Sequence, residues 1–218
     1  MNSSLNLADI RKNYARQVLD ESLVAPNPLA QFNTWLQEAI DANVPEPTAM
    51  VLATANQAGV PSARVVLLKG VPPEGFLFFT NYLSHKGQDM ANNPAVALTF
   101  FWPELERQVR VEGQVVKARD KESDEYFWSR PLGSQIGAWA SPQSKTVSNR
   151  AELEKLNAEY EHKFIGLNKI PRPEHWGGYV VQPILVEFWQ GRPNRLHDRI
   201  IYTKNPDNLS WQIGRLAP

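Results

Sequence analysis

The chain has 218 residues, with 23 Lys+Arg balanced by 23 Asp+Glu, no cysteine and seven tryptophans, a length that supports one sizeable core. Zero net charge argues against attraction to duplex nucleic acid or an anionic membrane through a general basic field. Without cysteine there is no disulfide framework, thiolate metal centre or cysteine nucleophile, and no run of about 18 apolar residues is present to span a bilayer.

The stretch up to Arg16 carries Asp9, Arg11, Lys12 and Arg16 and lacks the apolar core of a secretory signal, so a soluble cytoplasmic protein is expected. From Pro26 a helix is predicted. Asn27 can cap it, Pro28 suits its first position, and Leu29, Phe32, Leu36 and Ile40 recur at helical spacing. It should end before Pro45 and Pro47. Strands are then predicted at 49–54, 63–69, 76–80, 95–101 and 107–118, separated by Gly, Pro and Asn clusters. Such a succession, mostly without intervening helices, points to an antiparallel barrel.

Short helices are expected at 85–91, opened by Ser84, and at 121–129, opened by Asp120. A longer one follows Ser148, with an apolar stripe of Leu153, Leu156, Tyr160 and Phe164. Strands resume at 178–189, bent or bulged at Pro183, and continue at 198–203 and 210–214. The economical reading is one α+β domain, mainly antiparallel β, with peripheral helices. Residues 1–25 form an N-terminal segment before a single domain at 26–218.

The four histidines are not spaced as a local metal pair, and no structural metal is expected. Glycine-rich nucleotide loops and nucleophile elbows are also absent, so a phosphorylated ligand would be held by basic side chains and helix N-termini. No acid falls between Glu46 and Glu74, where Arg64 and Lys69 lie, or between Glu125 and Glu152, where Arg130, Lys145 and Arg150 lie. Period-two alternation sends Arg64 and Lys69 to opposite faces of one strand, as two anion sites or as two solvated charges. Ser84-His85-Lys86 opens a helix, where free N–H groups favour phosphate, although an ordinary capped surface helix would read the same. Tyr126 and Arg130 share a helix face, with Ser134 just beyond Pro131. The alternative there is a core tyrosine beside a surface arginine. Last, Arg195, His197 and Arg199 follow Trp189 across a Gly/Pro/Asn turn. Such a cluster suits a flat anionic aromatic ligand, unless Glu187 and Asp198 neutralise it.

The run E-F-W-Q-x4-R-L-H-D-R, Glu187 to Arg199, resembles the characteristic stretch of the pyridoxamine 5′-phosphate oxidase family. Supporting runs are P-T-A-M (47–50), R-V-V-L-L-K (64–69), F-F-T-N (78–81), E-R-Q-V (106–109), S-R-P with S-Q-I-G-A-W (129–139), Q-S (143–144), H-W-G-G (175–178) and R-L-A-P (215–218). The resemblance runs from about Ala8 to Pro218. It implies a homodimeric FMN-binding split β-barrel of Greek-key type, with FMN at the subunit interface. It also implies oxidation of pyridoxamine or pyridoxine 5′-phosphate to pyridoxal 5′-phosphate, with O2 reduced to H2O2.

By the same resemblance FMN is held by Arg64, Val65, Val66, Leu67, Leu68, Lys69, Phe79, Thr80, His85, Lys86, Gln108, Gln143, Ser144, Trp189 and Arg199. Substrate is held by Lys69, Tyr126, Arg130 and Ser134 at its phosphate, and by Arg195, Leu196 and His197 at its ring. Arg195 and His197 are the catalytic candidates, and Arg11 and Tyr14 are candidate lid residues. His85 stands where many relatives carry arginine, which implies weaker or more pH-sensitive flavin binding. A carrier of FMN or pyridoxal phosphate and a nicotinamide-dependent flavin reductase are the rival readings.

Overall fold

The computed structural model describes residues 18–207 and 209–218. Arg11 and Tyr14 lie outside the described residues. Among the described residues, five α-helices and eight strands follow one another as α1 Pro28–Asp41, β1 Ala49–Ala55, β2 Pro61–Leu67, β3 Phe76–Asn81, α2 His85–Asn92, β4 Ala95–Trp102, β5 Arg107–Lys117, α3 Asp120–Ser129, α4 Leu132–Ala140, α5 Arg150–Lys163, β6 Trp176–Gln190, β7 Asp198–Lys204 and β8 Trp211–Arg215. The hydrogen-bonded strand order is β2-β1-β4-β5-β6-β7-β8, with β3 pairing on β6 off that path. Every ladder with a defined register is antiparallel. The α+β, mainly antiparallel expectation therefore holds, as an open sheet rather than a closed one.

The described residues fall into two compact units, and β4, β5 and β6 each contribute to both. The first comprises residues 18–47, 100–110 and 185–218. Asn27 caps α1, accepting from the Leu29 N–H at 2.8 Å. The buried stripe of α1 is Pro28, Phe32, Trp35 and Ala39, whereas Ile40 is exposed. The buried stripe is thus rotated by about one residue from the predicted one through Leu36 and Ile40, with Trp35 and Ala39 as the buried positions. Phe32 packs on Phe100 at 4.7 Å, and Trp35 meets Phe188 edge-on at 5.1 Å.

The second unit comprises residues 48–99 and 111–184. Alternation along β1 buries Met50, Leu52 and Thr54. The β1–β2 turn closes around Asn56, whose side chain accepts from the Ala58 and Val60 N–H groups, with Gly59 at φ +79. β6 runs as one strand through Pro183, where a bend or bulge was predicted. Pro183 falls between the β3 ladder at residues 176–181 and the β7 ladder at 185–190, so neither of these ladders needs the N–H it lacks.

Ser84 caps α2 by accepting from the Gly87 N–H. A Cβ at Gly87 would lie 2.2 Å from the Tyr82 carbonyl oxygen, backbone that cannot easily yield. Gly87→Ala is expected to destabilise the protein by about 1–3 kcal/mol. A lower urea midpoint at constant m-value is the check.

α3 begins one residue earlier than predicted. Asp120 is its first helical residue rather than its cap, and the Glu122 side chain reaches back to the Arg119 N–H. Asn149 rather than Ser148 caps α5, accepting from Glu152. Of the α5 stripe, Leu153, Leu156 and Tyr160 are only half-buried, while Phe164 is buried just past the helix. The sequence reading had no helix at α4. Its two glycines weaken helix propensity, and its support is tertiary: Ile136 and Ala138 join Phe127, Phe164, Ile170 and Trp176 in one apolar cluster.

Candidate functional site

Within the second unit, the end of β2, the strand β3, the first turn of α2 and the end of α3 surround a cavity of about 400 Å³. Among the described residues, its walls carry Arg64, Lys69, Lys86 and Arg130 and no carboxylate. Val65, Val66, Leu67, Phe79, Thr80, Tyr126 and Gln143 complete the predicted residues that meet there.

The cations are held differently. Arg64 Nη1 donates to the Thr54 hydroxyl at 2.7 Å and to the Ser62 and Leu52 carbonyls, and Nη2 donates to Ser62 Oγ at 2.8 Å. Lys86 Nζ donates to Gln143 Oε1 at 3.0 Å and to Thr80 Oγ1 at 3.1 Å. Burial first, and the Arg64 charge second, push the Lys86 ammonium below its usual pKa, so an anion there would relieve both.

Arg130 lies with its guanidinium carbon 4.6 Å from the Trp176 ring centre. Its Nη1 is buried without a hydrogen-bond partner, and burial lowers its pKa. A desolvated, unpaired guanidinium nitrogen is costly in a folded protein unless a ligand uses it. Phe79 and Tyr126 stack at 4.0 Å on the same wall. Ser134 lines an adjoining hollow of about 190 Å³ that shares Arg130, Gln143 and Trp176.

Several expectations change here. Arg64 and Lys69 face one cavity, not opposite sides, because β2 ends at Leu67 and alternation does not continue to Lys69. Leu68 points into the core, and Ser144, at φ +71, is exposed beside Gln143. His85 is not on the cavity wall; its Nε2 lies 3.7 Å from Asp89 Oδ1. Trp176 and Asn81 line the cavity and were missed as site residues, since a ring beneath an arginine distant in sequence leaves no spacing signal.

The first unit holds the remaining predicted residues, Gln108, Trp189, Arg195, Leu196, His197 and Arg199. Arg195 and His197 are not on an extended strand. Pro193–Arg195 is a 3-10 turn with Asn194 at φ +58 and Arg195 at φ +62. Arg195 and Leu196 are exposed. His197 packs 4.6 Å from Trp189, and its Nδ1 accepts from the Arg192 N–H at 3.1 Å. Partial burial, then the Arg195 charge, hold its pKa below the usual value, and with Nδ1 accepting, the neutral ring carries its proton on Nε2.

Arg199 donates to the buried Glu187 at 2.7 Å, and Arg110 to the same carboxylate at 3.0 Å. Asp198 pairs with Arg215 at 2.8 Å and Arg192 at 3.5 Å. Neutralisation by Glu187 and Asp198 therefore applies to Arg199 and Arg192, and Arg195 stands apart from it.

Residues 36–163 match the family described as pyridoxamine 5′-phosphate oxidase, and residues 176–218 match the pyridoxine 5′-phosphate oxidase C-terminal dimerisation region. The chain is 57% identical over 213 residues to the pyridoxine/pyridoxamine 5′-phosphate oxidase of Burkholderia thailandensis, covering 97% of this chain and 99% of that protein. The same figures hold for the Burkholderia pseudomallei protein of that name. Among solved structures, PhzG from Burkholderia lata in complex with tetrahydrophenazine-1-carboxylic acid superposes with a TM-score of 0.86 at 29% identity, covering 94% of this chain and all of that one. A pyridoxamine 5′-phosphate oxidase-related, FMN-binding protein from Nostoc punctiforme gives a TM-score of 0.70 at 15% identity, covering 89% and 100% of the two chains, a likeness of fold. Among the described residues, no helix is long and apolar enough to cross a membrane.

Proposed function

Because the chain belongs to the pyridoxamine 5′-phosphate oxidase family, we propose that it oxidises pyridoxamine and pyridoxine 5′-phosphates to pyridoxal 5′-phosphate, with FMN as cofactor and O2 reduced to H2O2. The observation that carries the reading is the unpartnered Nη1 of Arg130 beside a cavity whose described lining has four cations and no carboxylate. These residues fit a phosphorylated flavin and a phosphorylated substrate: cationic donors suit the phosphates, and Phe79, Tyr126 and Trp176 suit flat rings. When bound, FMN supplies the two-electron acceptor that no side chain of this cysteine-free protein can provide.

In this reading Arg64, Lys86, Thr80 and Gln143 hold the flavin phosphate, and Val65, Val66, Leu67, Lys69, Phe79, Gln108, Ser144, Trp189 and Arg199 supply further flavin contacts. Lys69, Tyr126, Arg130 and Ser134 bind the substrate phosphate. Arg195 and Leu196 cover the substrate ring, and His197 offers it the Nε2 proton. Fixing a remote phosphate orients the substrate without taking part in bond breaking, so these residues act mainly on binding. The enzyme acts as a cytoplasmic homodimer with FMN at the subunit boundary and a single domain at 26–218; the matched dimerisation region supports the dimer.

The test is oxygen uptake by the purified yellow protein given pyridoxamine 5′-phosphate alone. Uptake with equimolar peroxide is expected. No uptake would favour a carrier, and uptake only with NAD(P)H would favour a reductase.

A further inference from the structure

Asp89 is a carboxylate, 4% exposed, that stands directly behind the cationic cavity without lining it. Its Oδ2 accepts from the Thr54 hydroxyl at 2.7 Å. That hydroxyl, on a residue only 3% exposed, accepts from Arg64 Nη1 at 2.7 Å. A hydroxyl has one proton and two lone pairs, so giving the proton to Asp89 obliges it to receive from Arg64. The relay has one direction. Asp89 Oδ2 is also 4.0 Å from Arg64 Nη2, and the exposed His85 approaches Oδ1 at 3.7 Å.

The same carboxylate sits on α2, whose first turn carries Lys86, while Thr54 is on β1. One buried hydrogen bond thus ties the helix bearing one cavity cation to the strand that steadies the other. We infer that Asp89, acting through Thr54, is a positioning residue that orients Arg64 and Lys86 for the phosphate of the flavin. The inference rests on the reading of that cavity as the flavin-phosphate site.

Two effects of Asp89 have opposite signs, and this makes the role testable. As a bare negative charge near the site, Asp89 repels phosphate, so its removal would tighten binding through the field alone. As an organiser of two cations, its removal weakens binding, because Arg64 and Lys86 lose their fixed geometry. Positioning is expected to win, since the carboxylate is buried and its charge is compensated by Arg64.

The experiment titrates FMN and riboflavin, which lacks the phosphate, into the flavin-stripped full chain and follows flavin fluorescence. Asp89→Asn is expected to weaken FMN about tenfold, a loss of about 1.4 kcal/mol, and to change riboflavin less than about twofold. Thr54→Val, near-isosteric and retaining Asp89, is expected to act in the same direction and covers the case in which Asp89→Asn fails to fold. Unchanged or tighter FMN binding, or an equal loss for both flavins, overturns the positioning role. If the unmodified chain does not prefer FMN to riboflavin, the phosphate-site reading falls, and this inference with it.

Discussion

Arg130→Ala is expected to raise KM for pyridoxamine 5′-phosphate roughly 10- to 100-fold with little change in kcat. The range follows from about 1.5–3 kcal/mol for a hydrogen bond to a charged group, at about 1.4 kcal/mol per tenfold. Arg130 is desolvated, lies over Trp176 and presents a buried nitrogen without a partner, so the protein already bears the cost of keeping that donor ready. The phosphate is remote from the carbon that reacts, and an interaction equally strong in ground and transition states appears in KM. Stability supplies an independent check. Losing the cation–π contact costs about 0.5–2 kcal/mol, and removing an unsatisfied buried donor returns about 1–3 kcal/mol, so the ligand-free variant should be about as stable as the parent, or more so. Steady-state oxygen uptake and a urea melt measure the two. A normal KM with a collapsed kcat would refute the phosphate role.

The second large effect is expected at Arg195. Arg195→Ala should lower kcat/KM about 100-fold, the scale associated with loss of substrate placement near the reacting atoms. The turn that presents it is strained: Asn194 and Arg195 both occupy the left-handed region, which costs a non-glycine residue about 1–2 kcal/mol. It is closed by the Leu196 N–H to the Pro193 carbonyl and by the Arg192 N–H to His197 Nδ1. A strained conformation fixed on both sides is a reason to look for function at that residue. Arg195→Gly separates the two contributions: activity should fall as in the alanine variant, while the fold should be more stable than with alanine because glycine tolerates φ +62. Retention of parental kcat/KM by Arg195→Ala would remove its place over the substrate ring.

Much of this molecule was legible without coordinates because it rests on interactions within a few residues. Asn27 before Pro28 and Ser84 before His85-Lys86 mark helix starts, since an orphan N–H needs an acceptor within one turn. The alternation at 49–54 and 95–101 marks strands buried on one face. The acid-free stretches identified the segments that supply Arg64, Lys69 and Arg130 to one cavity.

Other features were not legible, because they depend on where strands end and on partners far apart in sequence. The termination of β2 at Leu67 puts Arg64 and Lys69 on the same cavity, against the simple alternation rule. The α4 helix exists through its tertiary cluster despite weak local propensity. Residue types and local periods in the sequence by themselves determined that these strands exist, the caps of α1 and α2 and the kind of charge available for binding. Only the tertiary structure decided that Trp176 lies against Arg130 and that Asp89 and Thr54 back Arg64, because hydrogen bonding and ring contact act over a few ångströms in space and leave no period along the chain.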